Sequence, residues 1–402
     1  MACPMRILVN DHAGHPFQVQ LSRALATRGH EVMHSYTANL QTPRGALTPT
    51  ATDPDGFQVQ PIQLSKPFER YGMLSRHRQE QELGRQLARL VHDFRPQVVV
   101  SANTPLIAQA KLQSACRSNG IGFIYWLQDL LGIGIKNALT RRLPVIGSSI
   151  GSHFQRLEQR LLRNSTRVVV ITDDFLPVCA SAGVPPGTAI VIENWAPLSD
   201  IPVLPKRNPW STQQGVAETF NFIYAGTLGM KHNPQLLVEL ARSLTDADQA
   251  RLIIISEGLG ADFLAAEKRS KGLEHLDLLP FQSFERMPEI LASADVLLTL
   301  LEPDAGIFAV PSKVLTNLCA QRAQLLAVPP ENLAARIVER QQAGLVVPPQ
   351  ELRGFLVAAR ALQADTTMRA RMADNGRAYA EQHFDIAAIT DRFESILESC
   401  QA

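Results

Sequence analysis

Short apolar segments alternate with amphipathic segments along almost the whole chain, and this alternation restricts the fold more than any other feature. Residues 97–101 (QVVVS) and 123–126 (FIYW) have the length and the β-branched or aromatic content of buried strands. Between such strands, apolar side chains recur at helical spacing, as at Leu83, Leu87 and Leu90. A repeated strand–helix order predicts an α/β fold with a doubly wound parallel sheet.

This pattern occurs twice. Strands are predicted first at residues 7–9, 31–36, 97–101, 123–126 and 167–171, and then at residues 222–225, 251–256, 277–280, 296–300 and 324–328. Between the two sets, residues 195–215 contain four prolines and are interpreted as a linker. We therefore predict two Rossmann-like domains, residues 1–200 and 201–384, with the last helix, residues 385–402, packing back on the first. Because ligands of parallel sheets bind at the carboxyl ends of the strands, a central cleft between the domains is expected.

The composition excludes several classes of protein. With 402 residues, of which 45% are hydrophobic, the chain is long enough for two domains with substantial cores. A net charge of +1 gives no sign of nucleic-acid binding. Five cysteines without metal-type or redox spacing are typical of a reducing compartment. We see neither a signal peptide nor a run of about 20 apolar residues, which predicts a cytoplasmic protein with at most peripheral membrane contact.

The turn that follows the predicted strand at residues 222–225 is typical of an anion-binding site. Gly226 and Gly229 allow the backbone to approach a ligand, with Thr227 between them, and Lys231 adds a positive charge. A helix is expected to begin just after this lysine, near an Asn-Pro pair. The free N–H groups at a helix start favour phosphate.

A second turn of this kind lies about 80 residues further along. Ser312 and Lys313 open another predicted helix, where the hydroxyl and N–H groups of Ser312 are expected to face an anion. Lys313 would act as a point charge on a diphosphate. Two phosphate-competent turns in one half of the chain predict a nucleotide diphosphate held between them.

The N-terminal half offers weaker candidates. The loop after the first strand contains one glycine, Gly14, so the dinucleotide fingerprint is missing and no nicotinamide or flavin site is expected. His12 and His15 in this loop either bind a sugar or are bystanders. Gln128 and Asp129 follow another predicted strand, and Asp129 either orients an acceptor, acts as a base or caps a helix.

Two further turns in the C-terminal half are open to two interpretations. Glu257 and Gly258 belong to a partial Gly-x-Gly turn, which either contacts a ligand or is a tight turn only. Glu331 and Asn332 follow the last predicted strand and either contact a ribose or lie in a plain loop.

Five short motifs occur in an order that resembles one enzyme family. They are LATRGHEV at residues 25–32, RPQVV at 95–99, WLQDL at 126–130, ENW at 193–195 and AGLVVP at 343–348. Together with the two lysine-containing turns, they resemble the retaining GT-B glycosyltransferases of family 4, in the exopolysaccharide and colanic-acid-type branch. The resemblance covers nearly the whole chain.

The resemblance implies a GT-B fold, with two Rossmann-like doubly wound parallel-sheet domains facing a central cleft. It implies a nucleotide-sugar donor (UDP-sugar favoured) on the C-terminal domain and a lipid-linked saccharide acceptor on the N-terminal domain, for cell-surface polysaccharide. Lys231 and the Ser312–Lys313 turn would stabilise the leaving diphosphate, and the Gly14 loop would face the donor. Two Asp-x-Asp motifs, at residues 53–55 and 246–248, are interpreted as solvent-facing, so no cofactor and no metal are predicted.

Two features of the family are missing. No basic residue precedes the lysine of the first turn, where Thr227 and Leu228 stand. The Glu-x7-Glu signature is replaced by Ala309 and Asn317, and Asn317 is expected to contact the ribose or the sugar by hydrogen bonds. The alternatives to a transferase are therefore a nucleotide-sugar epimerase of GT-B architecture and a non-catalytic nucleotide-sugar-binding subunit.

Two basic segments, residues 67–78 and 136–163, also contain apolar residues and are candidates for peripheral contact with the inner membrane surface. The second segment contains one apolar helical stripe, formed by Phe154, Leu157, Leu161 and Leu162. The alternative is that this stripe packs inside the protein.

Overall fold

The computed structural model describes residues 3–40, 45–67, 73–142, 144–301, 303 and 306–400. The chain divides into two compact units, and each is built on its own parallel sheet. The first unit comprises Met1–Asn194 and Ile386–Ala402, and the second comprises Trp195–Asp385. The predicted α/β fold with two Rossmann-like parallel sheets is confirmed.

The first unit has a seven-stranded sheet in the order β3-β2-β1-β4-β5-β6-β7. Its strands are β1 (Arg6–Asp11), β2 (Glu31–Thr37), β3 (Phe57–Ile62), β4 (Val98–Ala102), β5 (Gly122–Leu127), β6 (Arg167–Val170) and β7 (Ala189–Val191). Its helices are α1 (Pro16–Thr27), α2 (Met73–Phe94), α3 (Leu106–Ser118), α4 (Leu131–Arg142), α5 (Pro144–Arg163), α6 (Leu176–Ser181) and the C-terminal α15 (Ile386–Glu398).

Strand β1 lies in the middle of this sheet, between β2 and β4. Leu8 is opposite Met33 on one side and Val99 on the other, and both pairings are parallel. Strands that are covered on both faces need continuous apolar runs, which is why β1 and β4 were recognisable in the sequence. The direction of the strand order changes between β1 and β4, so the loops after these two strands diverge and leave a crevice.

The C-terminal helix α15 is an integral part of the first unit. The ring of Phe393 packs 4.8 Å from that of Trp126, which in turn contacts Phe17 of α1 edge-on at 5.6 Å. Glu394 accepts a hydrogen bond from Nε2 of His30 at 3.0 Å. The helix therefore covers one face of the first sheet, although it follows the whole second unit in sequence.

The second unit has a six-stranded parallel sheet in the order β10-β9-β8-β11-β12-β13. Its strands are β8 (Phe220–Ala225), β9 (Ala250–Ile255), β10 (Leu276–Leu279), β11 (Val296–Leu300), β12 (Ala323–Ala327) and β13 (Gly344–Val347). Its helices are α7 (Pro209–Gln213), α8 (Gln235–Ser243), α9 (Leu259–Lys271), α10 (Met287–Ala292), α11 (Lys313–Cys319), α12 (Leu333–Arg340), α13 (Leu352–Ala364) and α14 (Thr366–His383).

Strand β8 occupies the central place that β1 has in the first unit. Phe222 is opposite Leu252 of β9 and Val296 of β11, and all three side chains are fully buried. The order changes direction between β8 and β11, so a second crevice is expected there.

Strands β3, β7 and β13 were not predicted, and all three lie at the edge of a sheet. In β3, residues 58–61 are half-buried or exposed and one of them is a proline. Strand β7 has only three residues, none of them fully buried, and β13 has four. Edge strands need neither length nor a continuous apolar run, so the signal that identified the central strands is absent.

The segment predicted as a linker is packed onto the second unit. Pro209 is the first residue of α7, and Asn208 caps this helix by accepting a hydrogen bond from the backbone N–H of Ser211. The amide of Asn208 also donates to the Ser293 hydroxyl, at 3.0 Å, and Trp210 is 1% exposed. The prolines of this segment therefore shape and start an ordered element, which belongs to the second unit from Trp195 onward.

Candidate functional site

The crevice of the second unit contains a buried lysine ammonium. Lys313 is the first residue of α11, and its Nζ lies 3.7 Å from the centroid of the Tyr224 ring at the end of β8. This Nζ is buried and, among the described residues, has no hydrogen-bond partner. Burial lowers the pKa of the Lys313 ammonium to about 7. The ring face partly stabilises the cation, but an anion would stabilise it further.

The backbone of Gly226 lies close to this ammonium. A Cβ atom at Gly226 would lie 3.2 Å from Nζ of Lys313, and the residue has a φ of +129°, which side chains rarely adopt. The hydroxyl of Tyr224 donates to the carbonyl oxygen of Thr227, at 2.7 Å, and so fixes the turn after β8. The predicted turns at Gly226 and Lys313 are therefore brought together across the crevice.

The Gly-x-Gly turn after β9 has a packing role. Gly260 donates its N–H to the carbonyl oxygen of Leu228 at 3.1 Å, and a Cβ at Gly260 would overlap that carbonyl. Gly258 has a φ of +94°. The exposed side chain of Glu257 accepts a hydrogen bond from the backbone N–H of Phe281 at 3.1 Å. These contacts explain the turn without a ligand, which was one of its two predicted interpretations.

The start of the helix after the first turn differs from the prediction. A single 3-10 turn, Met230–His232, comes first, Asn233 adopts a left-handed conformation, and Pro234 is the N-cap of α8 rather than its first residue. Gly229 donates its N–H to Nδ1 of His232 at 2.9 Å. The side chain of Lys231 lies outside the part of the chain that the structure describes.

The remaining predicted donor contacts differ in how exposed their side chains are. Ser312 is exposed, and its hydroxyl makes no capping hydrogen bond with α11. Asn317 is 5% exposed on α11, one turn after Lys313. Glu331 is exposed, with its carboxylate 3.5 Å from the position of a Cβ on Gly306.

Asn332, which was considered as a ribose contact, has a structural role. Its side-chain amide donates to the carbonyl oxygens of Gly306, at 2.6 Å, and Ala309, at 2.7 Å. Its side-chain oxygen accepts from the backbone N–H of Ala334 and caps α12. Asn332 therefore anchors the loop that precedes Lys313.

The crevice of the first unit is organised around a buried aspartate that the sequence did not single out. Asp11, the last residue of β1, accepts hydrogen bonds from the backbone N–H groups of Ala13, at 3.1 Å, and His15. With its amide nitrogen turned inward, Gln18 also donates to this carboxylate, at 2.6 Å. Burial alone would raise the pKa of Asp11, but the charge and hydrogen bonds of His15 lower it.

His15 joins this carboxylate to the loop after β4. Its Nδ1 lies 3.3 Å from Oδ1 of Asp11 and 3.2 Å from the side-chain nitrogen of Asn103. Burial alone would lower the pKa of His15, but the carboxylates of Asp11 and Asp129 raise it above the usual value. These two carboxylates therefore favour the charged form of the imidazole.

A pocket of about 210 Å³ opens beside His15. Its polar lining comes from the ends of β1, β4 and β5 and consists of His15, Asn103, Thr104, Tyr125, Gln128 and Asp129. The amides of Gln128 and Asn194 form a reciprocal pair, with distances of 3.1 and 2.6 Å, which leaves little of Gln128 for a ligand. Asp129 is half-buried at the rim.

The other two candidates of the first loop lie beside this pocket rather than in its lining. Nδ1 of His12 is 2.8 Å from the hydroxyl of Thr37, and burial lowers the pKa of His12 to about 4. Gly14 has a φ of +77°, and its carbonyl oxygen accepts a hydrogen bond from the N–H of Gly45 at 3.0 Å.

The two Asp-x-Asp motifs are partly ion-paired, which corrects the prediction that they face solvent. Asp53 pairs with Arg23 at 2.7 Å, and its side chain is 10% exposed. Asp248 pairs with Arg360. Within the described ranges, no group of three or more His, Cys, Asp or Glu side chains is arranged to hold a metal ion.

Two family models match the chain and together cover most of it. Residues 15–195 match the glycosyl transferase 4-like domain, and residues 207–379 match the glycosyl transferases group 1 family. A curated relative, the putative colanic acid biosynthesis glycosyl transferase WcaI of Escherichia coli K12, is 23% identical over 239 residues. This alignment spans 56% of the chain and 56% of the relative, or about half the length of each.

Solved structures share the fold over nearly the full length. HepE of Anabaena, in complex with UDP and glucose, has a TM-score of 0.72 at 17% identity, with 98% of this chain and 100% of HepE covered. WaaG, a glycosyltransferase involved in lipopolysaccharide biosynthesis, has a TM-score of 0.69 at 15% identity, with 97% and 99% covered. The fold is GT-B. The chain belongs to the glycosyltransferases, through the glycosyl transferase 4-like family in its first half and glycosyl transferases group 1 in its second.

Proposed function

We propose that this glycosyltransferase moves a sugar from a nucleotide-diphosphate sugar, with UDP-sugar favoured, to a lipid-linked saccharide acceptor in cell-surface polysaccharide biosynthesis, with retention of configuration. The observation that carries the donor side is the buried ammonium of Lys313, which lies beside Gly226 and has no hydrogen-bond partner in the part of the chain that the structure describes. The presence of UDP in the HepE complex supports the choice of base. The names of WcaI and WaaG support a surface polysaccharide pathway, and retention rests on the resemblance to family 4.

The chemistry of Lys313 follows from its surroundings. When the bond between the sugar and the diphosphate breaks, negative charge accumulates on the leaving group. A cation that is already desolvated and positioned stabilises this charge more strongly than one in water. An approaching diphosphate would also restore the full charge of Lys313, because a nearby anion favours the ammonium form.

The remaining donor contacts are proposed around this pair. Backbone groups of the turn after β8 would bind the phosphates, with Lys231 as the second cation. The nucleoside and the sugar would be bound by the loops after β9 and β12 and by α11, through Glu257, Gly258, Asn317 and Glu331.

The membrane contact is proposed for the hairpin of α4 and α5. In the apolar stripe of α5, Leu161 and Leu162 are buried, whereas Phe154 and Leu157 are half-buried, so only part of the stripe is available to lipid. Ile146 is 64% exposed at the start of α5, and Arg156, Arg160 and Arg163 are exposed. Within the described ranges, no helix is long and apolar enough to cross a bilayer. The other candidate segment, residues 67–78, lies partly outside the described residues.

Flotation with vesicles of anionic and of neutral lipid tests this contact. We expect binding to anionic vesicles at low salt, because the exposed arginines add electrostatic attraction to the small apolar area. Absence of binding at low salt would contradict the proposal.

The function is tested by nucleotide release across a panel of UDP-, GDP- and other nucleotide-sugars, with and without an extract of polyprenyl-linked saccharides. Wild type is compared with Lys313→Ala and with Lys271→Ala, a matched control because Lys271 is exposed on α9. We expect acceptor-dependent release from one donor, lost in Lys313→Ala and kept in Lys271→Ala. Activity should persist in EDTA, since we propose no metal and no cofactor.

The other outcomes point to the alternatives. Interconversion of the donor sugar without any acceptor would identify an epimerase. Donor binding without turnover under every condition would identify a binding subunit.

A further inference from the structure

Tyr224, near the end of β8, belongs to the core of the second unit. Its side chain is fully buried and lies in the same apolar cluster as Phe222, Leu252 and Leu298. Protein cores are close-packed, so a ring held in this way has little freedom to move. The sequence did not single out this residue, because a tyrosine within an apolar strand is ordinary for a strand.

The face of this ring is in contact with the Lys313 ammonium. Nζ lies 3.7 Å from the ring centroid, well inside the roughly 6 Å within which a cation and an aromatic face attract each other. The attraction is strongest for a desolvated cation, and this Nζ is buried with no hydrogen-bond partner in the described part of the chain. Because the stem of a lysine is flexible, the ring also restricts where this ammonium lies.

The hydroxyl of Tyr224 holds the turn after β8. It donates to the carbonyl oxygen of Thr227 at 2.7 Å. Burial raises the pKa of this phenol to about 13, so the hydroxyl keeps its proton and remains a donor at neutral pH. Next to Thr227, Gly226 donates its N–H to the carbonyl oxygen of Ile255 at 3.0 Å. The turn is therefore anchored at two consecutive residues.

Both contacts are made by one rigid ring. The separation between the backbone of Thr227 and Nζ of Lys313 is therefore set by a single side chain. Nζ also lies 3.2 Å from the position that a Cβ atom on Gly226 would take. An anion that binds between the turn and the ammonium meets groups whose spacing is already fixed, which reduces the cost of ordering them on binding.

We propose that Tyr224 is a positioning residue of this anion site, whose ring holds the Lys313 ammonium and whose hydroxyl holds the turn of residues 226–229. The inference deepens the proposed transferase function and rests on it for the identity of the anion, the diphosphate of the donor. Tyr224 acts through Lys313 and Thr227, not by contact with the reacting atoms.

Three side chains at position 224 separate the two contacts in the full chain. Tyr224→Phe keeps the ring and removes the hydroxyl. Tyr224→pentafluorophenylalanine, introduced at this codon alone, also lacks the hydroxyl and has nearly the shape of phenylalanine, but its fluorines withdraw the negative charge from the ring face. The same replacement at Phe222, which is fully buried two residues earlier on β8, is the matched control for fluorination of the core.

UDP affinity, measured by calorimetry between pH 6 and pH 9, is the first readout. Tyr224→Phe should bind UDP about fivefold more weakly than wild type at every pH, the usual loss for one hydrogen bond. At pH 9 the fluorinated variant should bind about fivefold to 30-fold more weakly than Tyr224→Phe, and this difference should narrow toward pH 6.

The reason for this pH dependence is the charge of Lys313. Burial, and not the charge of a described neighbour, lowers the pKa of its ammonium to about 7, within the measured range. The ring face stabilises the ammonium form, so its loss lowers this pKa further. The loss therefore weakens UDP binding only where part of the lysine is deprotonated.

The titration of the Lys313 ammonium, followed by NMR of labelled lysines and assigned with Lys313→Met, is the second readout and needs no ligand. Wild type and Tyr224→Phe should titrate together, and the fluorinated variant should titrate at lower pH. Fluorination at Phe222 should change neither readout.

Each part of the proposal has an outcome that overturns it. An unchanged titration in the fluorinated variant would overturn the role of the ring, and a Tyr224→Phe variant that binds UDP like wild type would overturn the role of the hydroxyl. If wild type binds no UDP but fluorination at position 224 still shifts the titration, the proposed donor site fails while the role of the ring stands.

Discussion

The two units place their candidate sites at the same point of the same topology, yet they supply it with different chemistry. In the first unit, the loops after β1 and β4 bring together Asp11, His15 and Asn103, and the buried carboxylate accepts several N–H groups. In the second unit, the loops after β8 and β11 bring Gly226 to Lys313, whose buried ammonium has no hydrogen-bond partner among the described residues. The charges of the first site are compensated within the protein before a ligand binds, whereas the charge of the second site is not.

From this difference we infer that one architecture is suited to two kinds of ligand. A crevice whose charges are compensated internally favours ligands that hydrogen-bond without net charge. A crevice with a desolvated and uncompensated cation favours an anion, because binding relieves the cost of burying the charge. The fold provides the two crevices, and a few side chains in each decide the ligand class.

The largest expected effect is a loss of stability of the first unit at acidic pH. Burial lowers the pKa of both His12 and His34 to about 4, from a usual 6.5. The folded unit therefore binds fewer protons than the unfolded chain. The contribution of these two histidines to the free energy of unfolding is complete above about pH 6.5 and is lost as pH falls toward 4. Each histidine contributes roughly 3 kcal/mol at most.

Hydrogen exchange read by mass spectrometry at pH 7 and pH 5 checks this prediction, after correction for intrinsic exchange rates. The first unit should lose protection at pH 5 and His34→Gln should lose less. The second unit, whose described histidines are half-buried or exposed, should change little. Equal loss in both units would remove the contrast between them.

The difference between the two sites also explains which of their residues could be predicted from the sequence. The β8 turn and Lys313 were recognisable because a glycine-containing turn after an apolar strand and a lysine at a helix start are local patterns. The contact between Lys313 and Tyr224 joins residues far apart in sequence, and no local pattern predicts that distance. Asp11 was missed because an aspartate that ends a strand has many uses, and only the fold shows that Gln18 and two backbone N–H groups converge on it.

The same reasoning separates correct predictions from wrong ones in the fold. The central strands were readable because both faces are buried, whereas the edge strands β3, β7 and β13 carry no such signal. The prolines of residues 195–215 suggested a linker, but the buried side chains of Trp210 and Asn208 anchor that segment. Composition alone does not show which prolines start a helix.

A second pH effect of opposite sign is expected from Glu158, beside the first site. Burial raises the pKa of Glu158 to about 7, from a usual 4.5. Since the folded state holds this proton more tightly, Glu158 makes the unit less stable as pH rises from about 4.5 through 7, by roughly 3 kcal/mol. Glu158→Gln keeps an acceptor oxygen and lacks the charge, so it should gain stability over wild type between pH 5 and pH 8.

Denaturant unfolding at the two pH values measures the gain. Glu218→Gln, at an exposed glutamate of the second unit, serves as the control and should follow wild type. If Glu158→Gln has the same free energy of unfolding as wild type at both pH values, the prediction is contradicted.

The third prediction crosses the two sites directly. Lys313→Met keeps most of the side-chain length and removes the charge, so UDP affinity should fall about tenfold to 100-fold, the usual loss for a hydrogen bond to a charged group. His15→Gln, in the first unit, should leave UDP affinity unchanged, because the diphosphate is proposed to bind the second unit. Calorimetry with UDP measures both variants, and a loss in His15→Gln as large as that in Lys313→Met would show that the two sites are not independent.

The smallest expected effect tests whether Gly226 matters for its conformation or for its contact with Lys313. Gly226→Ala introduces both a strained φ of +129° and a Cβ about 3.2 Å from the ammonium. Gly272→Ala, at the end of α9, introduces a left-handed strain with nothing within 4 Å of the new Cβ. Both should lose about 1 kcal/mol of unfolding free energy. Only Gly226→Ala should also lose UDP affinity, by several-fold, because the methyl group occupies the approach to Nζ. If both variants bind UDP like wild type, the space beside Gly226 is not where the diphosphate lies, and Lys313 must be reached from another side.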